Sequence, residues 1–253
     1  MAENVFSLKG KLALVTGGGT GIGFGIAQCL VNAGATVVIT GRRENILKEA
    51  VSELGEKSSY EIHDMNDLDV AHGFVRSIES GYGPIDVLVN NAGINDLKPP
   101  FEVTDSDFDN ILKTNLAGVF SLTREVAKYM VERKRGSIIM ITSMTAIYGL
   151  ADVAPYAASK AGLLGLTRSL ATDLSPSGVR INAVAPGFIV TPMHDEALKR
   201  YPEKGAKILD RTPLKRFGTT TDIGHAVVFL ASDASGFITG VQLPVDGGNA
   251  IGF

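Results

Sequence analysis

Leu12-Ala-Leu-Val-Thr16 runs directly into Gly17-Gly-Gly-Thr-Gly-Ile-Gly23, and apolar residues then recur at helical spacing through Ile26, Cys29, Leu30 and Ala33. A buried strand, a glycine turn and a helix start form a ready anion site. Residues without Cβ let the backbone approach a phosphate, and the free amides and dipole at the helix start favour negative charge. Gly17, Gly21 and Gly23 give the spacing G-x-x-x-G-x-G instead of the commoner G-x-G-x-x-G, and taken alone such a turn has a tight connection as its less favoured alternative. The expectation of a dinucleotide site therefore rests on what surrounds it.

Outward from this stretch, Val- and Ile-rich runs at 36–40, 59–63, 85–89, 137–141, 179–184 and 241–245 alternate with helical-period stretches at 21–33, 44–54, 68–80, 106–133, 156–174 and 221–231. This alternation is the signature of βαβ units. LALV, VVI, IDVLV and SIIMI are nearly continuous in hydrophobicity, as strands covered by helices on both faces must be. No linker, repeat or composition break interrupts them. The expected fold class is α/β: one doubly wound Rossmann-type domain over residues 1–253, with about seven parallel strands flanked by helices on both faces.

The 253 residues are 45% hydrophobic and 20% charged, an ordinary globular balance that excludes disorder. Lys and Arg number 24 against 27 acidic residues, a formal charge of −3, so no basic footprint for nucleic acid exists. No apolar run reaches the ~18 residues that span a bilayer, and the first residues lack a signal-peptide pattern, so no membrane association and a cytoplasmic location are expected. The single Cys29 reads as a core thiol, and His63, His72, His194 and His225 lie too far apart for a metal cluster, so no metal site is expected.

At the end of the second run, where such folds choose between ribose hydroxyls and a 2′-phosphate, the chain carries Gly41-Arg42-Arg43. An acid there would repel a phosphate, whereas guanidinium forks suit one, so NADP(H) is favoured over NAD(H). Two solvated arginines at a helix start are the bland alternative. Further along, Ser143 closes the fifth run, and Tyr156 and Lys160 stand four apart on one helical face. Alone, a tyrosine and lysine so spaced are common by chance.

Taken together, TGGGTGIG, Asn90-Asn-Ala-Gly93, Asn115, Ser143, Tyr156 with Lys160, Pro186-Gly187 and Val245-Asp-Gly-Gly248 resemble the short-chain dehydrogenase/reductase family in order and spacing from about Leu8 onward. The resemblance implies a catalytic set of Asn115, Ser143, Tyr156 and Lys160. It implies cofactor contacts at Gly17, Gly19, Thr20, Gly21, Ile22, Gly23, Arg42, Arg43, Asp64, Met65, Asn91, Ala92, Gly93, Pro186, Gly187, Ile189 and Thr191, shared by Tyr156 and Lys160. In that scheme Tyr156 exchanges a proton with the carbonyl oxygen, Lys160 draws its pKa down from ~10, Ser143 hydrogen-bonds the substrate oxygen and Asn115 holds a water near Lys160. The less favoured reading of Asn91, Ala92, Gly93 and Asp64 is strand termination, and Thr191 is also simply a helix cap.

Substrate choice is expected in a lid at about 187–213 and in the turn after Ser143. His194, Asp195, Glu196, Lys199 and Arg200 give the lid a polar character, suiting a small polar carbonyl or secondary alcohol, although such charges also suit a solvated outer face. Arg211 to Gly218 and the VDGG stretch resemble the gluconate 5-dehydrogenase and polyol branch. AVAPGFIVTPM is shared with 3-oxoacyl-thioester reductases, which stay as the alternative. A nucleotide-sensing scaffold without chemistry would have no need of Ser143, Tyr156 and Lys160, and an apolar-ligand carrier would want a wider hydrophobic lid. The stretches 106–133 and 156–174 carry more apolar surface than one sheet covers, and Gly162 and Gly165 permit close packing, so a homotetramer is expected.

Overall fold

The computed structural model describes residues 4–191 and 202–252. Seven strands, β1 (Leu12–Thr16), β2 (Thr36–Gly41), β3 (Ser58–Ile62), β4 (Ile85–Asn90), β5 (Gly136–Ile141), β6 (Val179–Pro186) and β7 (Gln242–Val245), form one parallel sheet in the order β3-β2-β1-β4-β5-β6-β7. The order reverses between β1 and β4, and a ligand crevice opens outside the carboxyl ends of strands at such a switch point.

Side chains alternate along each strand and feed two cores. Ala13, Val15, Val37, Ile39 and Val87 point to the face covered by α1 (Gly21–Asn32), α2 (Glu44–Leu54) and the last helix, here called α8 (Thr220–Ala231). Leu12, Leu14, Val38, Leu88 and Ile138 point to the face covered by α3 (Ala71–Gly81), α5 (Gly118–Glu132) and α6 (Ala154–Leu174). On the first face α1 and α8 approach backbone to backbone. A Cβ on Gly25 would stand 2.3 Å from Thr220 Cβ, and one on Gly224 would stand 2.4 Å from Cys29 Sγ.

The stretch 106–133, read from its periodicity as one helix, is three pieces. Helix α4 (Asp105–Leu112) opens on a Thr104–Asp107 capping box, a π-helical turn covers Lys113–Ala117, and α5 follows. Its neighbours hold the wide turn in place. Thr114 Oγ1 donates to Asn66 Oδ1 at 2.9 Å, Asn115 is pinned to the Ile94 peptide, and Gly118 presses so closely on Met65 that a Cβ would meet its carbonyl oxygen at 2.2 Å. The stretch 68–80 likewise begins with a 3-10 turn, Leu68–Val70, before α3. Within the expected lid, Pro202–Arg211 forms a helix, α7, and His194, Asp195, Glu196, Lys199 and Arg200 lie outside the described residues.

Candidate active site

A cavity of about 750 Å³ opens at the switch point. Its wall holds Gly17, Gly19, Thr20, Gly21, Ile22 and Gly23 from the glycine turn, Arg42 and Arg43 after β2, Asp64 and Met65 after β3, Asn91, Ala92 and Gly93 after β4, and Thr191 after β6. Pro186, Gly187 and Ile189 stand outside it. Gly187 is fixed against Asp246, where a Cβ would come 2.6 Å from Asp246 Cα. Ile189 is buried in the core and bridges to Gly218, where a Cβ would meet its Cδ1 at 2.5 Å. Thr40, Ile46, Leu47, His63, Ile94 and Thr114 also line the wall. His63 had been read as the last residue of the third strand. The strand ends at Ile62, which frees the His63 ring to stack on Phe74, with centroids 4.2 Å apart. Burial pushes its pKa down, so the neutral imidazole is favoured there.

The glycine turn leaves no room for a Cβ at its closest points. Gly17 and Gly21 take the left-handed backbone region (φ +64° and +56°). A Cβ on Gly23 would stand 2.2 Å from the Gly17 carbonyl oxygen. The loop that completes the wall is tied by two side chains. Thr16 Oγ1 donates to the Val89 carbonyl and accepts from the Asn91 and Ala92 amides, while Asn91 Nδ2 donates to the carbonyls of Thr16 and Gly17 at 3.0 and 3.1 Å. Arg42 leans toward Asp64, 3.9 Å away, and both remain open to solvent. Among the described residues no three His, Cys, Asp or Glu converge on a common metal position.

Beside this cavity lies a cluster of polar side chains, of which Asn115 and Lys160 are buried. Ser143 lies two residues past the end of β5 and caps a 3-10 turn, its Oγ accepting the Thr145 amide at 3.1 Å. Tyr156 stands in the first turn of α6 with its phenol in hydrogen-bonding reach of the Ser143 hydroxyl. One turn on, Lys160 is buried, donates from Nζ to the Ile141 carbonyl at 2.8 Å and sits 5.5 Å from the Tyr156 ring centroid. Asn115, with no exposed surface, accepts the Ile94 amide on Oδ1 and donates through Nδ2 to the Ile94 carbonyl and to Ser159 Oγ. Gly93 joins cluster and cavity. The place of its missing Cβ is 3.2 Å from Asn115 Oδ1 and 3.5 Å from Lys160 Nζ.

The electrostatics differ from the expectation that Lys160 draws the phenol pKa down. Burial pushes the Tyr156 phenol up, opposed only by its hydrogen bond to Ser143, and burial pushes Lys160 down to about 8. Both charged forms are disfavoured by the same dry surroundings, and the ammonium is already engaged by a carbonyl.

The match to known proteins covers this whole architecture. A family model described as enoyl-(acyl carrier protein) reductase matches residues 17–250. The chain is 39% identical to a 3-oxoacyl-(acyl-carrier-protein) reductase of Thermotoga maritima, over 96% of this chain and 99% of that protein. It is 40% identical to a gluconate 5-dehydrogenase of Gluconobacter oxydans, over 97% and 96%. Among solved structures, a gluconate 5-dehydrogenase from Burkholderia cenocepacia in complex with NADP and tartrate superposes with a TM-score of 0.93 at 34% identity, covering 98% of each chain. With the sheet order, the glycine turn and near full-length similarity in agreement, the chain is an oxidoreductase of the short-chain dehydrogenase/reductase family.

Proposed function

We propose that the protein is an NADP(H)-dependent oxidoreductase that interconverts the carbonyl and secondary alcohol of a small polar substrate of the keto-sugar-acid or polyol class. The observation that carries this reading is the adjacency at Gly93, which lines the cavity and stands against Asn115 and Lys160 of the Ser143, Tyr156, Lys160 and Asn115 cluster. NADP(H), when bound, supplies or takes the hydride. Arg42 and Arg43 would meet the 2′-phosphate, with Gly41 in place of an acid, and the cradle amides would meet the pyrophosphate.

The chain's own work is proton handling and orientation. Ser143 Oγ donates to the substrate oxygen and fixes it where charge develops. Tyr156 passes its proton to that oxygen on reduction and takes it back on oxidation. Lys160 keeps the phenolate from being an isolated buried anion during that exchange. Asn115 spends its side-chain amide on Ile94 and Ser159, which fixes it beside Lys160, where it would hold a water.

Relatives of both kinds, sugar-acid dehydrogenase and 3-oxoacyl-thioester reductase, align along nearly the whole chain. The test is NADPH oxidation against keto-sugar acids, keto-polyols, diketones and 3-oxoacyl thioesters. The reading expects the highest kcat/KM on a keto-sugar acid or polyol, and a preference for thioesters would replace it with the alternative.

The same reading includes assembly of copies. An apolar groove of about 610 Å³ runs along the outer face between α4–α5 and α6, walled by Leu112, Leu116, Phe120, Gly162, Gly165 and Leu166. Large and glycine positions on one face are self-complementary across a two-fold axis, so a second copy of this chain is the proposed occupant, within a tetramer. Light scattering at micromolar concentration checks this, and a mass of 26.7 kDa would overturn it.

A further inference from the structure

Three segments meet at the carboxyl end of β5–β7: the turn after Ser143, the end of α7, and the turn after β7. The Tyr148 hydroxyl donates to Asn249 Oδ1, and Asn249, wholly buried, donates from Nδ2 to Thr212 Oγ1 at 3.0 Å. Arg211 donates from Nε to the Asn249 carbonyl at 3.0 Å, and its guanidinium carbon stands 4.4 Å from the centre of the Tyr148 ring. One nitrogen is thus tied to the main chain and the guanidinium is held against an aromatic ring, which fixes the direction of the fork.

Other arginines of the chain are fixed for structural reasons by carboxylates or carbonyls. Arg133 forks onto Glu79 and the Ile85 carbonyl, Arg216 forks onto Asp222, and Arg180 reaches the Leu230 and Ser232 carbonyls. Among the described residues no carboxylate pairs with Arg211. The side chain is ordered as an ion-pair partner is ordered, by neutral groups, which is the arrangement that lowers the entropic cost of receiving an anion.

Its position relates it to the reaction centre. The amides of Ile147 and Tyr148 both donate to the Met144 carbonyl, so the turn folds back on itself after Ser143. At a rise of about 2 Å per residue, five residues from Ser143 to Tyr148 span at most roughly 10 Å. Tyr148, whose ring carries the Arg211 guanidinium, therefore lies within the reach of an extended six-carbon acid held at Ser143.

We propose that Arg211, held by Tyr148 and Asn249, is the carboxylate anchor of the substrate site and the residue that selects an acid over its uncharged analogues. This rests on the reading of Ser143 and Tyr156 as the centre where the carbonyl reacts.

The test is kcat and KM with NADPH for 5-ketogluconate and for the primary amide of the same acid, in wild type, Arg211→Gln and Arg211→Lys. Losing a charge-assisted fork should raise KM for the acid about 30-fold in Arg211→Gln, with kcat and the NADPH dissociation constant within about threefold of wild type and the amide unaffected. Arg211→Lys, which keeps the charge without the fork, should fall between. Equal losses on acid and amide would make Arg211 merely structural, and no loss on the acid would remove its role while leaving the keto-acid reading intact. A wild-type enzyme that does not prefer the acid to the amide, or turns over thioesters alone, would overturn both.

Discussion

The two halves of the sheet's carboxyl edge are built from different materials. Around β1, β2 and β4 the wall is mainly main chain: glycines in conformations no other residue adopts readily, amides at a helix start, and a loop tied by Thr16 and Asn91. Around β5–β7 it is side chain. Ser143, Tyr156, Lys160, Tyr148 and Arg211 each depend on a rotamer held by neighbours. A main-chain surface recognises what is common to every reaction cycle and tolerates no Cβ, whereas a side-chain surface can be changed one residue at a time without disturbing the cradle. On the proposed function, this division gives affinity for the cofactor to one half, and chemistry and choice of substrate to the other.

The sharpest way to break that division is Tyr156→Phe. If proton exchange lives wholly in the side-chain half, turnover should fall by about 10³-fold or more while NADPH affinity, read by fluorescence titration, stays within twofold. Comparable losses in both would merge the halves.

A pH series on stability sharpens the same contrast, because only the side-chain half buries an ammonium. Lys160 has a folded pKa of about 8, below its ordinary 10.5, so the unfolded chain binds more protons between those values. The group therefore costs stability at neutral pH, and the cost is relieved as pH rises through that window. Relative to Lys160→Met, wild type should gain about 3 kcal/mol between pH 7.5 and 10.5, whatever the offset at neutral pH. Urea unfolding at several pH values measures this, and a constant difference would contradict the burial of a charge.

In the main-chain half, Arg42→Ala is expected to reduce the preference for NADPH over NADH by about 1.5 to 3 kcal/mol with little change in kcat. Unchanged preference would leave the choice to Arg43 or to the cradle alone. The smallest effect concerns the helix that joins the halves. Thr219 caps α8 through the Asp222 amide in a capping box, and α8 lies on α1, whose start is the cradle. Thr219→Ala should cost about 1 kcal/mol in denaturant unfolding and leave cofactor preference alone.

How much was legible in the sequence follows the same division. Main-chain geometry is announced by residue type: TGGGTGIG can be little but a turn, and Val- and Ile-rich runs can be little but buried strands. Of the seventeen expected cofactor-side positions besides Tyr156 and Lys160, fourteen line the wall, and Pro186, Gly187 and Ile189 do not. The wide turn at Lys113–Ala117 was invisible because one extra residue per turn barely disturbs a helical period, while its causes, Asn66 and Met65, lie some fifty residues away. Helix α7 was hidden by its polar composition, PEKGAKILDR, which lacks a wide apolar stripe. Arg211 entered the sequence reading only as the start of a resembling stretch, and its hold by Tyr148 and Asn249 was hidden because those partners come from turns far apart in the chain.

The close approach of α1 and α8 has a consequence for kinetics. Cys29 is buried with its sulfur against Gly224, and burial pushes the thiol pKa up. A reagent molecule has no room beside that sulfur while the two helices touch, and the thiolate it needs is scarce. The rate at which a thiol-reactive probe labels this one cysteine is therefore a clock for helix separation, and it runs at the opening frequency of the seam between the halves. Because α1 begins at Gly21, inside the cradle, a ligand seated there should slow the clock without touching the sulfur.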